Sequence, residues 1–299
     1  MNDQILFSVL IAQYNNGKFL NEAINSVKKQ TYTNWEIIIV DDASTDNSFE
    51  IYKNISNDDK VKIFYNKENK GCGYTKSRCI EMANGEILGF LDPDDTITTD
   101  ALELMVNEHL KDDKVSLVYS RLSICDDKLN NCYISNASAE LSCGIDYLHT
   151  ARYIVTAFTS FKKKLYYMTV GINIFLKRAV DQDLYLKLEE VGSFLFIDKP
   201  LYFYRIHNNQ ISLGENNYKA FYYHIKVIED ACKRRGIISQ CEDIISDLIK
   251  NNLTEPLLQT INRQNNKNIQ PSLIDIIKTI KNYIKNKLGK LLLVQKLFL

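Results

Sequence analysis

Residues 86–98 read EILGFLDPDDTIT, and the apolar run Ile87 to Leu91 goes straight into Asp92-Pro93-Asp94-Asp95. A short apolar run bounded by turn residues reads as a strand buried on both faces. The same pattern occurs upstream, where WEIIIV, Trp35 to Val40, ends at Asp41-Asp42. A third apolar run spans Phe7 to Ala12. Helical patterns fall between these runs. Leu20, Ala23, Ile24 and Val27 recur at helical spacing, a polar helix begins near Ser48, and Thr75 to Ala83 reads as a helix stopped by Asn84-Gly85. Val61 to Tyr65 is a further strand, Asn66 to Gly73 is a loop, Leu102 to Leu110 is helical and Val115 to Tyr119 is again a strand. Strand and helix in alternation predict an α/β sheet of βαβ units. Ligands of such sheets bind outside the carboxyl ends of the strands. The acidic groups at 41–42 and 92–95 therefore fall on one functional edge.

The pattern from 121 to 215 is less regular. It holds a helix from about Gln182 to Val191, a strand from Phe194 to Ile197, then Pro200 and an aromatic strand from Leu201 to Tyr204. After Gly214 the spacing turns helical, so the expected division is residues 1–214 and 215–299. No internal repeat is present.

Composition narrows the classes. The 299 residues are 45% hydrophobic and 25% charged, an ordinary globular balance. Lys+Arg and Asp+Glu both number 37, so no net field favours nucleic acid, and none is expected as a partner. The seven cysteines lack the two-residue spacing of a zinc or redox motif and are expected to be reduced. Met1 to Phe7 does not read as a signal peptide, and no run reaches the roughly 20 apolar residues of a spanning helix. The expectation is a cytoplasmic protein or one on the cytosolic membrane face.

Closely spaced carboxylates after a strand offer oxygen ligands to a hard divalent cation and leave positions open for phosphates. Pro93 stiffens that turn. A helix N-cap explains the same residues, since Asp is favoured there. Asp181 and Asp183, in AVDQDLYLKL, open a helix, where carboxylates also suit the positive dipole end. His207 follows an aromatic strand in LYFYRIHNNQIS. His109, His149 and His224 have no such setting and are expected to be structural or surface residues.

Taken in order, FSVLIAQYNNGKFLNEAINSVKKQTYTNWEIIIVDDASTDNS (7–48) and NKGCGYTKSRCIEMANGEILGFLDPDDTIT (69–98) resemble the two halves of the family 2 glycosyltransferase domain. Order, spacing and content match over about residues 5–100. The resemblance implies a GT-A, Rossmann-like nucleotide-sugar-binding domain with a mixed central sheet, followed here by a C-terminal helical extension. It implies an inverting transferase that moves a sugar from a nucleoside-diphosphate sugar, a UDP-sugar foremost, to a glycan or lipid-linked acceptor of a bacterial surface polysaccharide. By the same resemblance Tyr14, Asn15, Asp41 and Asp42 hold the nucleotide base, and Gly71 belongs to the Gly-rich loop. Lys76 stands near base and phosphates where Arg is more usual. Asp92 contacts the ribose or the metal shell, and Asp95 supports the turn or touches the donor sugar. Asp94 and His207 are the implied ligands of Mn²⁺ or Mg²⁺, and Asp181 is the implied general base. Val180 replaces the first member of the family's acidic pair. A non-catalytic nucleotide-sugar-binding module, or another metal-dependent nucleotide enzyme, is the alternative. The N-terminal region lacks a P-loop or Rossmann fingerprint.

From Ile276 to Leu299 there are six lysines and no acidic residue, with Ile277, Ile280, Ile284, Leu288 and Leu291 at helical spacing. This basic amphipathic pattern suits either an anionic membrane surface or packing on the domain.

Overall fold

The computed structural model describes residues 5–150, 152–156, 158–207 and 216–252. Two compact units are distinguished, Met1–Gln210 and Ile211–Leu299. In the first, the chain runs β1 (Phe7–Gln13), α1 (Gly17–Lys28), β2 (Trp35–Asp41), α2 (Ser48–Ile55), β3 (Val61–Tyr65), α3 (Cys72–Met82) and β4 (Ile87–Phe90). It continues through β5 (Thr96–Ile97), α4 (Ala101–Leu110), β6 (Val115–Cys125), β7 (Tyr133–Ile134), α5 (Tyr147–Thr150), β8 (Thr159–Lys162), α6 (Lys163–Tyr166), α7 (Val180–Glu189) and β9 (Ser193–Arg205).

The strands form one mixed sheet in the order β3-β2-β1-β4-β8-β6-β9-β5, with β7 paired to β6. β3, β2, β1 and β4 are parallel neighbours. β8 is antiparallel to both β4 and β6, and β9 is parallel to β6. The apolar runs become strands because both sheet faces are covered. Ile37 and Ile39 join a cluster with Leu20, Ile24 and Val27 of α1, while the alternating Ile38 and Val40 are equally buried. Truncating one such side chain, Ile24→Ala for example, costs about 2–5 kcal/mol through lost transfer energy and the cavity left behind. Gln13 pairs with Asp41 across β1 and β2, so both turns leave the sheet at the same level.

Three expectations are corrected. The four-residue β8 was not anticipated, and it is the strand that makes the sheet mixed at its centre. Residues expected as two strands about Pro200 form the single β9; Pro200 lies opposite Arg121, where the register shifts, so its missing N–H falls at an irregularity. Cys125 and Cys132, expected as thiols, form a disulfide with Cα atoms 4.1 Å apart, because the turn between β6 and β7 folds them together.

The second unit contains α8 (Asn216–Arg234) and α9 (Cys241–Asn252), joined through a short 3₁₀ turn, Ile238–Gln240. α8 packs on α9, with Ile225, Ile228 and Cys232 of α8 and Ile244, Ile245 and Leu248 of α9 buried. No helix among the described residues is long and apolar enough to cross a membrane. The basic stretch 276–299 lies outside the described residues.

Candidate active site

The turn after β1 is locked to the turn after β2. The Asn15 N–H donates to Ser44 Oγ at 3.0 Å, and Asn15 Oδ1 accepts the Thr45 N–H at 2.8 Å. Both turns need left-handed backbone at a residue other than glycine, Asn15 at φ 52° and Ala43 at φ 61°. Such conformations cost on the order of 1 kcal/mol or more and concentrate at functional sites. Asp41 is buried and accepts from the Ser44 N–H at 2.8 Å and from Tyr52 Oη at 2.5 Å. Asp42 is buried and accepts from Asn66 Nδ2 (2.7 Å), the Lys70 N–H (2.8 Å) and the Gly71 N–H (2.8 Å). The Asp42 carboxylate thus anchors the loop that leads into α3, and the Asp41 carboxylate ties the turn after β2 to α2. Tyr14 is the open member of the group, with 47% of its surface exposed. Gly71 sits at φ 89°, which a side chain would strain. Gly73 allows a close approach, since a Cβ there would stand 2.7 Å from the Asn173 carbonyl and 2.8 Å from that of Leu176.

The turn after β4 is held from β9. Asp95 is buried, and accepts from Tyr202 Oη and from the Arg205 N–H, each at 2.7 Å. Burial, followed by the charges of Asp94 and Asp92, pushes the Asp95 carboxyl up against these hydrogen bonds. Arg205 is buried as well. Its Nε donates to the Asp94 carbonyl at 2.7 Å, Nη1 to the Asp127 carbonyl at 2.6 Å and Nη2 to Glu22 at 2.9 Å. Its guanidinium lies 4.5 Å from the centre of the Phe19 ring. Beyond β9, His207 Nε2 comes within 2.9 Å of Asp94 Oδ2, and its ring packs on Phe19 at 4.9 Å.

Asp181 enters from α7, whose N-cap Ala179 is also left-handed at φ 55°. Lys76 of α3 joins it to the strand end: Lys76 Nζ lies 2.5 Å from Asp181 Oδ1 and 3.7 Å from Asp92 Oδ1. The lysine side chain is 6% exposed, whereas those of Asp181 and Asp92 are 46% and 43% exposed. Burial alone would lower Lys76, but the charges of Asp181 and Asp92 outweigh it and hold the ammonium well above the usual lysine range. Asp183 faces inward, buried, and binds Lys187 at 2.6 Å and the Asn173 N–H at 3.2 Å. Val180 is buried, so the position of the missing carboxylate serves the apolar core.

Lys76 thus gathers Asp181 and Asp92, Asp94 pairs with His207 on the same turn, and the buried Asp95 is held next to it from β9. Tyr14, Asn15, Asp41, Asp42 and Gly71 line the adjoining turns. Among the described residues no group of three or more His, Cys, Asp or Glu side chains forms a ready-made metal cage. The Asp94 carboxylate offers an oxygen of the kind that a hard divalent cation takes together with phosphate oxygens and water, and His207 stands beside it at 2.9 Å. His109 is bonded to Ser160 in the core, and His149 lies on the surface paired with Asp146. The supporting roles of Arg205, Tyr202 and Phe19 were not anticipated. The one sequence signal for them is that Arg205 ends an aromatic strand two residues before His207.

Residues 8–184 match the domain described as glycosyl transferase family 2. The chain is 31% identical to chondroitin synthase of Escherichia coli over 259 residues, which cover 83% of this chain and 37% of that protein. It is 28% identical to hyaluronan synthase of Pasteurella multocida over 250 residues, 81% of this chain and 25% of that one. It therefore spans well under half the length of these relatives. Among solved structures, S. aureus TarS 1–349 in complex with UDP-GlcNAc has the same fold, with a TM-score of 0.64 at 19% identity, covering 92% of this chain and 82% of that one. The matched family segment runs from β1 into the first turn of α7, through both acidic strand ends and Asp181. On that match, the chain belongs to glycosyl transferase family 2.

Proposed function

We propose that the chain transfers a sugar from a UDP-sugar to a hydroxyl of a glycan or lipid-linked glycan, with inversion at the anomeric carbon. The observation that carries this reading is the sharing of one buried cation. Lys76 touches Asp181, and on its other side reaches Asp92, two residues from the Asp94–His207 pair. A proton acceptor and a diphosphate-binding edge therefore adjoin. The relatives support it: two are named for the glycans chondroitin and hyaluronan, and the fold relative was solved with UDP-GlcNAc.

In this reading Tyr14 presents its ring to the nucleotide base, at turns fixed by Asn15, Asp41, Asp42 and Gly71. Asp92 faces the ribose and phosphates. Asp94 and His207 would hold a divalent cation, Mn²⁺ or Mg²⁺, which would supply positive charge against the charge that develops on the departing diphosphate. An acceptor hydroxyl is a poor nucleophile at neutral pH, so Asp181 takes its proton as the oxygen attacks the anomeric carbon. The bond from that carbon to the diphosphate breaks and UDP leaves. Attack opposite the leaving group inverts the centre. Residues 1–214 supply this chemistry and 215–299 form the extension, whose basic sequence suits either an anionic membrane surface or packing on the domain.

The test is UDP release from a panel of UDP-sugars with Mn²⁺ present, with product anomers assigned by NMR. Turnover with inversion by the wild-type chain, and loss of about 100-fold or more in Asp181→Asn, is the expected result. Full turnover by Asp181→Asn, or retention of the donor's configuration, would contradict it.

A further inference from the structure

We infer that Lys76 is the positioning residue of the base Asp181, rather than a ligand of the donor phosphates. The inference rests on the reading of Asp181 as the base. Lys76 lies on the buried side of α3 while the carboxylates it serves open toward solvent. Its Nζ is 2.5 Å from Asp181 Oδ1 and 4.8 Å from the centre of the Phe90 ring. The cation is thus enclosed by an aromatic face and two carboxylates. A phosphate could reach it only by displacing one of them, and that exchange would bring a second anion beside Asp92.

The contact has a chemical consequence. Oδ1 of Asp181 is held by the ammonium, which leaves Oδ2 as the oxygen that receives the acceptor's proton. When the acceptor O–H bond breaks and the Oδ2–H bond forms, Asp181 becomes neutral and Lys76 still has Asp92 as its counter-ion. The cation therefore never becomes an unpaired buried charge during the cycle, a state that proteins strongly disfavour. Lys76 also ties α3 to α7 across 105 residues of sequence, fixing where the base stands relative to the strand end.

The test uses the full chain and the UDP-sugar that the wild type hydrolyses fastest. Lys76→Met keeps the length of the side chain and removes the charge. Lys76→Arg restores the charge, and both are also made in the Asp181→Asn background. If Lys76 acts through the base, Lys76→Met lowers kcat by about 100-fold, the scale of general-base catalysis. The Kd for UDP then stays within about threefold, and Lys76→Arg recovers most of kcat. In the Asp181→Asn background the same replacement costs less than about threefold, because two residues acting as one unit are not additive. UDP affinity serves as the check that the variant is folded. A loss of UDP affinity that accounts for the whole fall in kcat/KM, with kcat preserved at saturating donor, would make Lys76 a phosphate ligand and overturn the inference. Equal losses from Lys76→Met with and without Asp181 would overturn it too. Full activity in Asp181→Asn alone would instead remove the base assignment, and this inference with it.

Discussion

Arg205 and Asp95 meet across 110 residues of sequence: the Arg205 N–H donates to Asp95 Oδ1 at 2.7 Å, and the Arg205 side chain donates to the carbonyl of the neighbouring Asp94. The acidic turn is therefore built by β9 as much as by its own residues. Arg205 is almost wholly buried and donates to three separate acceptors through its side chain. Removing it strands buried acceptors. Arg205→Met is expected to cost about 3 kcal/mol, and Arg205→Lys nearly as much, since an ammonium cannot reproduce the planar fork. Thermal melting checks this, with a fall in Tm of roughly 10 °C expected. A melting point unchanged in both variants would show that the turn stands without β9.

A second prediction concerns acid stability. Glu36 of β2 is buried and accepts from Ser8 Oγ (2.6 Å), the Asn84 N–H (2.6 Å) and Lys62 Nζ (2.8 Å). Burial opposes its charge, but Lys62, Ser8 and Asn84 outweigh that and depress the carboxyl from 4.5 to about 2. The folded protein thus holds this proton less readily than the unfolded chain. The resulting stability is present above about pH 4.5 and is lost as pH falls toward 2, amounting to about 3 kcal/mol in all. Urea unfolding at pH 7 and at pH 3 should show a smaller pH difference in Glu36→Gln than in the wild type. An identical difference in both would assign acid sensitivity elsewhere.

Thiol chemistry offers a third. Cys72 opens α3 beside Lys76, Asp92 and Asp181, and burial, with those carboxylates and Asp42, pushes its thiol up to about 11 despite the lysine. At neutral pH it is protonated and a slow nucleophile. Cys143 is free and exposed. Maleimide labelling followed by peptide mapping should therefore modify Cys143 first and Cys72 much later, with UDP slowing Cys72 alone. Rapid Cys72 labelling that ignores UDP would place the thiol outside the donor site.

What the sequence discloses about this fold follows from local physics. β1, β2 and β4 are legible because central parallel strands are apolar runs that stop abruptly at their carboxyl ends, and the site lies at those ends. β8 is not legible: it has four residues, Thr159 to Lys162, and its lysine is buried by tertiary contacts that no local pattern records. β9 hides behind Pro200, which reads as a strand break until the register shift opposite Arg121 is known. The carboxylates of the site are legible from type and spacing. Their partners are not. Beyond its place at the end of an aromatic strand, nothing near Arg205 marks it as a buried arginine, and the contact between Lys76 and Asp181 depends on a fold that closes 105 residues of chain. The pairing of Cys125 with Cys132 depends likewise on the turn between β6 and β7.

On the proposed function, the edge carrying Asp94 and His207 would bind a nucleoside diphosphate through a divalent cation. Calorimetric titration of UDP, with and without Mn²⁺, into the wild-type chain, Asp94→Ala and His207→Ala tests it most directly. The account predicts UDP binding that strengthens at least about tenfold with Mn²⁺ in the wild type, a gain absent in Asp94→Ala and reduced in His207→Ala. UDP binding that is indifferent to Mn²⁺, or equally Mn²⁺-dependent in all three proteins, would contradict it.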